Sequence, residues 1–555
     1  MDIKSRVHRY VYHITWLNAT HNGERRERTM RCFHVCGSCI VAPSHFFHNI
    51  DEGSHFSLLY RVNSVIVEFQ RSRLFGVGEE DWCIYDCGPR VEPCKHNMKY
   101  FIKECDLARV KKTNALMCSI DNDMSLTIQT GMCEAVREFR YKDDLNEKFY
   151  TQSGWRYTMA TRPGDCGALL IANNPIVVAP GKILGIHIAG LDSKNIGYSV
   201  IITREKLEGL LTKFVTPVVG SIPRIQAIDS SIHPSTARIL PEGDFTLHGI
   251  LPNKKCPAQP IKTAFLKTPW FDEVSKIMVS PKEPAHLRPF INSLGERISP
   301  LRLALRKYGH QTKPFPARSL QKIEKFMKPY NERFLKMHTG KRVWPQKEAV
   351  LGLPEIPFAE RINFKSSPGW PYQVLEKTKP GKWYLFDDAG RIINPLLQHM
   401  VDERIDKAKA LQRIPSLWRD CLKDELRPVK KVEEGKTRLF TIAPLDFTIV
   451  MRMYFMDFII AFYAAGSCSS FFSKVGIDPE SFEWTDMYQR LASVSHKCIA
   501  GDFANFDGKY PPEFFMLFVN MVNAWYDDGP ENAAVRTTLI FELIHTEQLV
   551  ENLCY

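Results

Sequence analysis

The stretch Gly164-Asp165-Cys166-Gly167 constrains this 555-residue chain more than any other. A cysteine between two glycines sits where backbone N–H groups can turn inward and surround an oxyanion. A thiol attacks an amide only as a thiolate or with a base in reach. The motif therefore predicts a nucleophilic cysteine on a tight loop, served by a histidine and a carboxylate from elsewhere in the chain.

The candidate base is His45, which follows the run Val41-Ala42-Pro43-Ser44 at the boundary between a predicted strand and a loop. A catalytic imidazole at such a boundary can face a cleft. Nine histidines precede residue 216, so simple packing is the competing interpretation. The rival bases are His34, His48 and His55.

The candidate acid is Asp81, which opens the predicted strand Asp81-Trp82-Cys83-Ile84-Tyr85. A carboxylate there can hold the histidine tautomer and stabilise the imidazolium. Glu79, Glu80 and Asp86 compete for this role, and an ordinary solvated acidic turn is the alternative.

Residues 1–215 are predicted to be β-rich, because short alternating or apolar runs recur with turn signals between them. Such spacing indicates a sandwich or a barrel. A hairpin turn is predicted at 192–195, a closing amphipathic helix at 203–214, and a linker at 216–240, where three prolines occur. The predicted strand runs are 7–16, 30–41, 57–69, 82–85, 182–188 and 196–202.

After residue 241 the pattern changes from strand-like runs to helical stretches. Those at 301–308 and 317–326 alternate with loops rich in proline and glycine. A strand is predicted at 497–503, followed by a helix that begins at Pro511 or Pro512. The apolar segment 447–465 is long enough to span a membrane. It carries Arg452 and Asp457 near its middle, so we predict a buried helix and no membrane span.

Charged residues in the second half form two patterns. The segment 423–438 holds cations that can grip phosphates, although a charge run is also typical of a solvated face. Asp502 and Asp507 follow the predicted strand 497–503, where carboxylates suit metal binding. The candidate phosphate ligands are Lys423, Arg427, Lys436 and Arg438.

Composition narrows the class of protein. A chain of this length is expected to form two to four domains, and 44% hydrophobic residues with 25% charged residues are ordinary for a soluble globular protein. The net charge of +12 favours a polyanionic partner. The cysteines indicate reduced thiols and no disulfide framework; the pairs Cys36/Cys39 and Cys83/Cys87 are only weak indications of zinc.

Residues 1–215 resemble a picornavirus-type main protease, a cysteine protease with the chymotrypsin double β-barrel. The resemblance is carried by Pro43-x-His45, by Asp81, by Gly164-Asp165-Cys166-Gly167 and by Gly185-Ile186-His187-Ile188-Ala189-Gly190. It implies that His45, Asp81 and Cys166 are catalytic and that no cofactor is needed. It also implies that His187, neutral and with Thr161 beside it, reads a P1 glutamine. Ala168 and Ala189 depart from the glycines usual in the family.

Residues 241–555 resemble the N-terminal two-thirds of a picorna-like RNA-dependent RNA polymerase. Segment 423–438 resembles motif F, Ser367-Pro368-Gly369-Trp370-Pro371-Tyr372 resembles motif G, and Asp502-x-x-x-x-Asp507 matches motif A. The resemblance implies that Asp502 binds Mg²⁺ (or Mn²⁺) and that Asp507 contacts the ribose 2′-OH. It implies NTP binding by Lys423, Arg427, Lys436 and Arg438.

We therefore expect a multidomain viral polyprotein segment: an all-β chymotrypsin-like double barrel (1–215), a linker or processing region (216–240), and α/β right-hand polymerase fingers with a partial palm (241–555). Because motifs B and C are not reached, we expect no RNA synthesis by this chain alone. The expected partners are the viral polyprotein, viral RNA template and primer, and NTPs, in a replication complex in the host cytoplasm. Gln226-Ala227 is a candidate processing site.

Two alternative interpretations stay open. One is a non-enzymatic RNA-binding polyprotein piece with a defective protease, for which Ala168 and Ala189 leave room. The other is a cellular trypsin-like protease with a basic accessory domain, which does not explain the order of motifs F and A.

Overall fold

The structure is a computed structural model that describes most of the chain in two compact units. One unit comprises 1–219 with 313–325, and the other comprises 220–312 with 326–555. The domain boundaries predicted at 215 and 241 stay predictions. Residues 192–194 of the turn predicted at 192–195, the predicted linker apart from residues 218–219, and Gln226-Ala227 lie outside the described residues. The described residues are 7, 9–21, 24–60, 63–76, 80–121, 123, 125–142, 148–173, 181–191, 195–214, 218–219, 245, 247–252, 256, 262–336, 341–375, 379–466 and 471–555.

The first unit contains two antiparallel β-layers. The first is a seven-stranded sheet in the order β5-β4-β1-β2-β3-β7-β6, and the second is a closed six-stranded barrel in the order β10-β13-β12-β11-β8-β9. The strands are β1 (Val11–His21), β2 (Glu24–Cys36), β3 (Cys39–Ala42), β4 (His55–Tyr60), β5 (Asn63–Glu68), β6 (Leu74–Gly76), β7 (Cys83–Asp86), β8 (Lys112–Ile120), β9 (Leu126–Lys142), β10 (Lys148–Thr158), β11 (Leu169–Ala172), β12 (Ile183–Leu191), β13 (Ile196–Val200) and β14 (Val218–Val219).

Alternating side chains explain the outer strands of these layers, where one face is buried and the other is not, whereas β3 and β11 are buried on both faces. In β4 the buried residues are Phe56 and Leu58, whose neighbours along the strand are half-exposed. The predicted runs 30–41 and 57–69 each form two strands rather than one, β2 with β3 and β4 with β5. A turn separates β2 from β3, and Gly37 in this turn has a φ of 52°, a region that favours glycine.

The described part of the first unit includes the helices α1 (Glu104–Leu107) and α2 (Arg204–Leu211). The predicted closing helix is confirmed as α2. Thr203 caps it, since the Thr203 hydroxyl accepts a hydrogen bond from the Lys206 N–H at 3.3 Å. Leu207 and Leu211 are the buried residues of this helix and join the core of the unit.

Strands β9 and β10 continue as a long hairpin, which we call the ribbon. Their pairing runs from Cys133 opposite Tyr157 to Lys142 opposite Lys148. The ribbon carries aromatic residues on one face, including Tyr141 and Phe149, whose rings stack with centroids 5.7 Å apart.

The second unit combines helices with a five-stranded sheet in the order β15-β24-β23-β20-β22, in which β20 and β23 run parallel. Its elements are β15 (Gly249–Ile250), α3 (Phe271–Val274), β16 (Lys282–Pro284), β17 (Phe290–Ile291), β18 (Arg297–Ile298), α4 (Pro300–Arg306), α5 (Ala317–Lys336, which begins in the first unit), α6 (Gln346–Leu351), α7 (Pro395–Lys409), β19 (Gln412–Arg413), β20 (Leu417–Leu422), β21 (Leu426–Pro428), α8 (Val429–Glu433), β22 (Leu439–Ile442), α9 (Leu445–Gly466), α10 (Phe482–Val494), α11 (Pro512–Tyr526), α12 (Pro530–Ile544), β23 (Glu547–Val550) and β24 (Leu553–Cys554).

Helix α9 packs in the core of this unit, as the sequence predicts. Its buried residues include Phe447, Val450, Tyr454 and Phe458. Among the described residues it is the one helix long and apolar enough to cross a membrane. The mean hydropathy of its apolar stretch is 1.5, and 44% of that stretch is buried. Core helices of soluble proteins meet the same criterion, so the absence of a membrane span stays a prediction.

The predicted strand at 497–503 is wrong. This stretch has no regular secondary structure and pairs with no described strand, and Ile499 and Phe503 are 103% and 79% exposed. An apolar run becomes a strand only where a neighbouring strand satisfies its backbone N–H and C=O groups. The helix predicted from Pro511 or Pro512 is confirmed as α11, with Pro512 at its first position.

The packing of β12 predicts how much stability the first unit loses when a methyl group is added to one of its glycines. A Cβ at Gly185 would lie 1.7 Å from the Val200 carbonyl oxygen, whereas a Cβ at Gly209 in α2 would meet nothing within 4 Å. We expect Gly185→Ala to destabilise the first unit by roughly 1–3 kcal/mol. We expect Gly209→Ala to stabilise it by roughly 0.5–1 kcal/mol, since glycine is a poor helix former.

The measurement is the urea dependence of hydrogen exchange in peptides from β10 to β13. Equal midpoints for the two variants would contradict this account of how β12 packs.

Candidate active site

Pairing between β3 and β7 brings His45 and Asp81 together. His45 lies in a short 3₁₀ turn (Ser44–Phe46) just after β3, and Asp81 lies just before β7, whose Cys83 pairs with Ala42. His45 Nδ1 is 2.5 Å from Asp81 Oδ2, and the His45 backbone N–H donates to Asp81 Oδ1 at 2.8 Å. The carboxylate therefore fixes both the ring and the backbone of the histidine.

Two hydroxyls complete the environment of Asp81. The Ser44 hydroxyl donates to Oδ1 at 2.5 Å, and the Tyr141 hydroxyl, from the ribbon, donates to Oδ2. Burial raises the pKa of Asp81, but the His45 imidazole and the two hydroxyls lower it below its ordinary value. Asp81 is thus a buried carboxylate that stays charged.

The charge of Asp81 sets the titration of His45. Burial by itself lowers the pKa of His45, whereas the Asp81 carboxylate and the nearby Cys166 side chain raise it, to about 10. The ring is 1% exposed, and the Phe149 ring of the ribbon lies against it with centroids 5.5 Å apart. The imidazolium form of His45 is therefore stabilised in a site that water scarcely reaches.

The rival residues have other tasks. His34 is buried between the Tyr12 hydroxyl, at 2.8 Å, and the Gly37 carbonyl, at 2.6 Å. Glu80 pairs with Lys206 at 2.7 Å. His48 packs on Phe149, His55 is in β4, and Asp86 accepts from Ser38 at 2.6 Å, while Glu79 is outside the described residues.

Cys166 lies on the loop before β11, and its side chain is half-exposed. Its Sγ is 3.3 Å from the Ile188 carbonyl oxygen of β12. The peptide bonds of the loop alternate in orientation: the Asp165 N–H donates to the Arg162 carbonyl at 3.0 Å, and the Gly167 N–H donates to the His187 carbonyl at 2.7 Å. The N–H groups of Gly164 and Cys166 have no hydrogen-bond partner among the described residues.

His187 lies on β12, beside the loop of Cys166. Its Nδ1 is 2.5 Å from the Tyr157 hydroxyl, and burial lowers the pKa of the ring to about 4. Thr161 is buried, and its hydroxyl has no partner among the described residues. That hydroxyl lies against Gly190, where an added Cβ would be 2.0 Å from it. The structure therefore places the residues predicted to read P1 glutamine around β12.

In the second unit, three of the predicted phosphate ligands converge on one carboxylate. Arg438 Nε donates to Glu425 Oε1 at 2.6 Å, and a second Arg438 nitrogen contacts Oε2. Lys423 and Arg427 each lie 3.9 Å from the same carboxylate. The fourth, Lys436, pairs with Glu434 at 2.7 Å instead. The cations around Glu425 outnumber it, so the cluster keeps a net positive charge.

The two motif A aspartates differ in their surroundings. Asp507 accepts a hydrogen bond from the Tyr308 hydroxyl at 2.5 Å and lies 3.2 Å from Lys307 Nζ. Burial raises the pKa of Asp507, but these two donors lower it below its ordinary value. Asp502 is exposed. Within the described part of the chain, no group of three or more His, Cys, Asp or Glu side chains is arranged to hold a metal ion.

The motif G segment forms a tight loop against the start of α9. Gly369 has a φ of 77°, and a Cβ there would lie 2.3 Å from the Ala443 carbonyl oxygen. The Ser367 hydroxyl donates to Gln373 Oε1 at 3.0 Å, which closes the loop. Glycine is therefore required at this position for both conformation and space.

Sequence reasoning missed several residues of these sites. Tyr141 and Tyr157 are distant in sequence from the residues they contact, so only the register of the ribbon places them. Glu425 is the one buried acidic residue of the cationic segment 423–438. Its position between Lys423 and Arg427 is a signal that the sequence does contain. Tyr308 lies 199 residues before Asp507 and carries no local signal.

Comparison with known proteins assigns both halves. The family described as viral RNA-dependent RNA polymerase matches residues 270–555, and the tungro spherical virus-type peptidase family matches residues 13–216. The genome polyprotein of Rice tungro spherical virus (strain Vt6) is 30% identical over 568 residues, which is 95% of this chain and 16% of that polyprotein. The replicase polyprotein of Acute bee paralysis virus (strain Rothamsted) is 28% identical over 503 residues, which is 86% of this chain and 26% of that polyprotein.

One solved structure, a Sicinivirus 3Dpol RNA-dependent RNA polymerase, overlaps 55% of this chain and 60% of its own at 22% identity, with a TM-score of 0.43. That score is too low to support any statement about the site. The family matches confirm the multidomain fold class expected from the sequence. The chain therefore belongs to the viral RNA-dependent RNA polymerase family, and its residues 13–216, ahead of the polymerase region, match the tungro spherical virus-type peptidase family.

Proposed function

We propose that the first unit is a cysteine endopeptidase that cuts the viral polyprotein after glutamine, and that the second unit binds NTPs and RNA for genome replication. The observation that carries the peptidase is the hydrogen-bonded pair of His45 and Asp81 beside Cys166, with two unpaired N–H groups on the loop of Cys166. The chain spans 16% and 26% of the two relatives named above, so these activities are proposals for this chain.

The site geometry supports acyl transfer through a thioester. His45 takes the Cys166 proton, and the thiolate attacks the scissile carbonyl. The N–H groups of Gly164 and Cys166 stabilise the oxyanion that forms. As the intermediate collapses, His45 gives its proton to the leaving amine, and it then deprotonates the water that hydrolyses the thioester. Asp81 holds the ring throughout and stabilises the imidazolium. No step needs a cofactor.

The surroundings of His187 and Thr161 support recognition of an uncharged P1 side chain. When the Tyr157 hydroxyl donates to His187 Nδ1, the proton of the neutral ring stays on Nε2. Nε2–H then donates to the amide oxygen of glutamine, and the Thr161 hydroxyl is free to share this acceptor. Ala168 is buried and its N–H closes the turn of the loop by donating to the Asp165 carbonyl at 2.9 Å. Alanine at this position is therefore compatible with a working loop.

The second unit supports nucleotide binding through the cluster around Glu425. Lys423, Arg427 and Arg438, with Lys436 nearby in sequence, hold the triphosphate in this proposal, and Asp507 contacts the ribose 2′-OH. Asp502 contributes one carboxylate to a divalent ion, Mg²⁺ or Mn²⁺. One exposed carboxylate does not make a complete metal site among the described residues, so no step is assigned to the metal. The proposed setting is a replication complex in the host cytoplasm.

The pKa values of the pair predict the effect of removing the carboxylate. Asp81→Asn takes away the charge that raises the pKa of His45 to about 10, so His45 loses its proton at lower pH. We expect kcat/KM for a glutamine peptide to fall by roughly 10²–10⁴-fold and its alkaline limb to move to lower pH.

Asp86→Asn is the matched control, because Asp86 serves Ser38 and lies at the other end of β7. Cys166→Ala sets the background rate. An unchanged alkaline limb in Asp81→Asn would contradict the assigned pair.

The His187 pocket predicts a specificity that is insensitive to pH. Because the pKa of His187 is about 4, the ring stays neutral between pH 5 and pH 8, and we expect a constant ratio of glutamine to methionine cleavage at P1 over that range, since neither side chain titrates there. Tyr157→Phe removes the donor to Nδ1, and we expect it to lower this ratio roughly tenfold. Tyr150→Phe on the same strand is the control. A ratio that follows a group titrating near pH 6.5 would show that His187 is not the reader.

The cluster around Glu425 predicts that removing a cation and removing the carboxylate have opposite effects on nucleotide binding. We expect Arg438→Gln to weaken binding of a fluorescent ATP analogue several-fold, because a charge-assisted contact to phosphate is lost. We expect Glu425→Gln to strengthen it, since three cations lose their competing carboxylate. The measurement is fluorescence anisotropy at low salt. Arg391→Gln, which breaks an exposed pair with Asp387, is the control, and equal losses in Arg438→Gln and Arg391→Gln would refute the assignment.

A further inference from the structure

Arg31 is a buried arginine that neither the sequence motifs nor the proposed reaction uses. It lies in β2, its side chain is 6% exposed, and it belongs to the first β-layer, whereas the loop of Cys166 leads into the barrel. Its Nε and one terminal nitrogen donate to the Ile120 carbonyl at 3.0 and 2.7 Å. These two bonds fix the direction of the guanidinium.

The remaining terminal nitrogen of Arg31 donates to the Gly164 carbonyl. The backbone N–H of Arg31 donates to the Cys166 carbonyl at 2.8 Å. One residue therefore holds the carbonyl groups on both sides of Asp165, two residues apart on the nucleophile loop. The loop rests directly on Arg31, since a Cβ at Gly167 would lie 1.8 Å from the Arg31 carbonyl oxygen.

The consequence lies in the alternation of the peptide planes. In the peptide after Gly164 and in the peptide after Cys166, the carbonyl is bound by Arg31 and the N–H is bound within the unit, to Arg162 and His187 respectively. With these two planes fixed, the peptide bonds that precede Gly164 and Cys166 turn their N–H groups away from internal partners. Those are the two unpaired N–H groups of the loop.

We propose that Arg31 is a positioning residue that builds the oxyanion hole, by clamping the carbonyls of Gly164 and Cys166 so that the N–H groups of these two residues stay directed at the substrate. This inference rests on the proposed peptidase function. Arginine suits the role better than lysine, because its planar guanidinium serves the Ile120 and Gly164 carbonyls at once and cannot be deprotonated. Asp165 and Cys166 lie close enough to interact favourably with the guanidinium charge.

The test compares Arg31→Met and Arg31→Lys with Arg156→Gln, an exposed arginine of β10 paired with Glu134, in the full chain. Three quantities are measured at pH 7: kcat and KM for a glutamine peptide, the inhibition constant of the matching peptide aldehyde, and the rate at which iodoacetamide alkylates Cys166. The aldehyde forms a tetrahedral oxyanion on the thiol, whereas alkylation forms none.

We expect Arg31→Met to lower kcat about 100-fold with KM within threefold, because one oxyanion donor is worth about 10²–10³ in kcat. Aldehyde affinity falls by a similar factor, and the alkylation rate stays within twofold. Arg31→Lys retains the charge and one donor, so we expect its kcat and aldehyde affinity to lie between those of the wild type and those of Arg31→Met. Arg156→Gln leaves all three quantities unchanged.

Two results would overturn the proposal, because each assigns Arg31 a general structural role. One is an equal loss of alkylation rate and kcat in both Arg31 variants. The other is wild-type kcat and aldehyde affinity in Arg31→Lys together with an unfolded Arg31→Met. If the wild-type chain does not cleave the peptide at all, the peptidase function itself fails. If it cleaves and both variants keep kcat, only the role of Arg31 fails.

Discussion

Two hydrogen bonds between the nucleophile loop and β12 organise the first unit. The Gly167 N–H donates to the His187 carbonyl at 2.7 Å, and the His187 N–H donates to the Ala168 carbonyl at 2.8 Å. They fix the distance between the backbone that carries Cys166 and the backbone that carries His187. Reactivity and specificity therefore share one rigid piece of backbone.

The remaining parts of the site come to this piece from separate elements. The pairing of β3 with β7 supplies His45 and Asp81, the ribbon supplies Tyr141 and Phe149, and β2 supplies Arg31. Each delivers a polar group that would be costly to bury alone, and each finds its partner in another element. In the second unit, the Glu425 carboxylate offsets the mutual repulsion of the cations around it.

Much of the site could be predicted because its signals are local. A cysteine between glycines, a histidine after a strand that ends in proline, and an aspartate that opens a strand are visible without the fold, and the fold class followed from many short strands. The strand predicted at 497–503 failed for the opposite reason. Its apolar pattern is real, but a strand exists only with a partner, and no described strand pairs with it.

By itself the sequence determined which residue types were available for chemistry: Cys166, His45 and Asp81 for acyl transfer, His187 for a neutral reader, and a cationic run near Asp502. Tertiary structure decided which of several histidines and carboxylates meet, and which side chains hold them. Tyr141, Tyr157 and Arg31 owe their roles to strand register and to the crossing of a loop over β2. Contacts between residues 30 to 133 positions apart leave no periodic trace in a sequence, so only the folded chain reveals them.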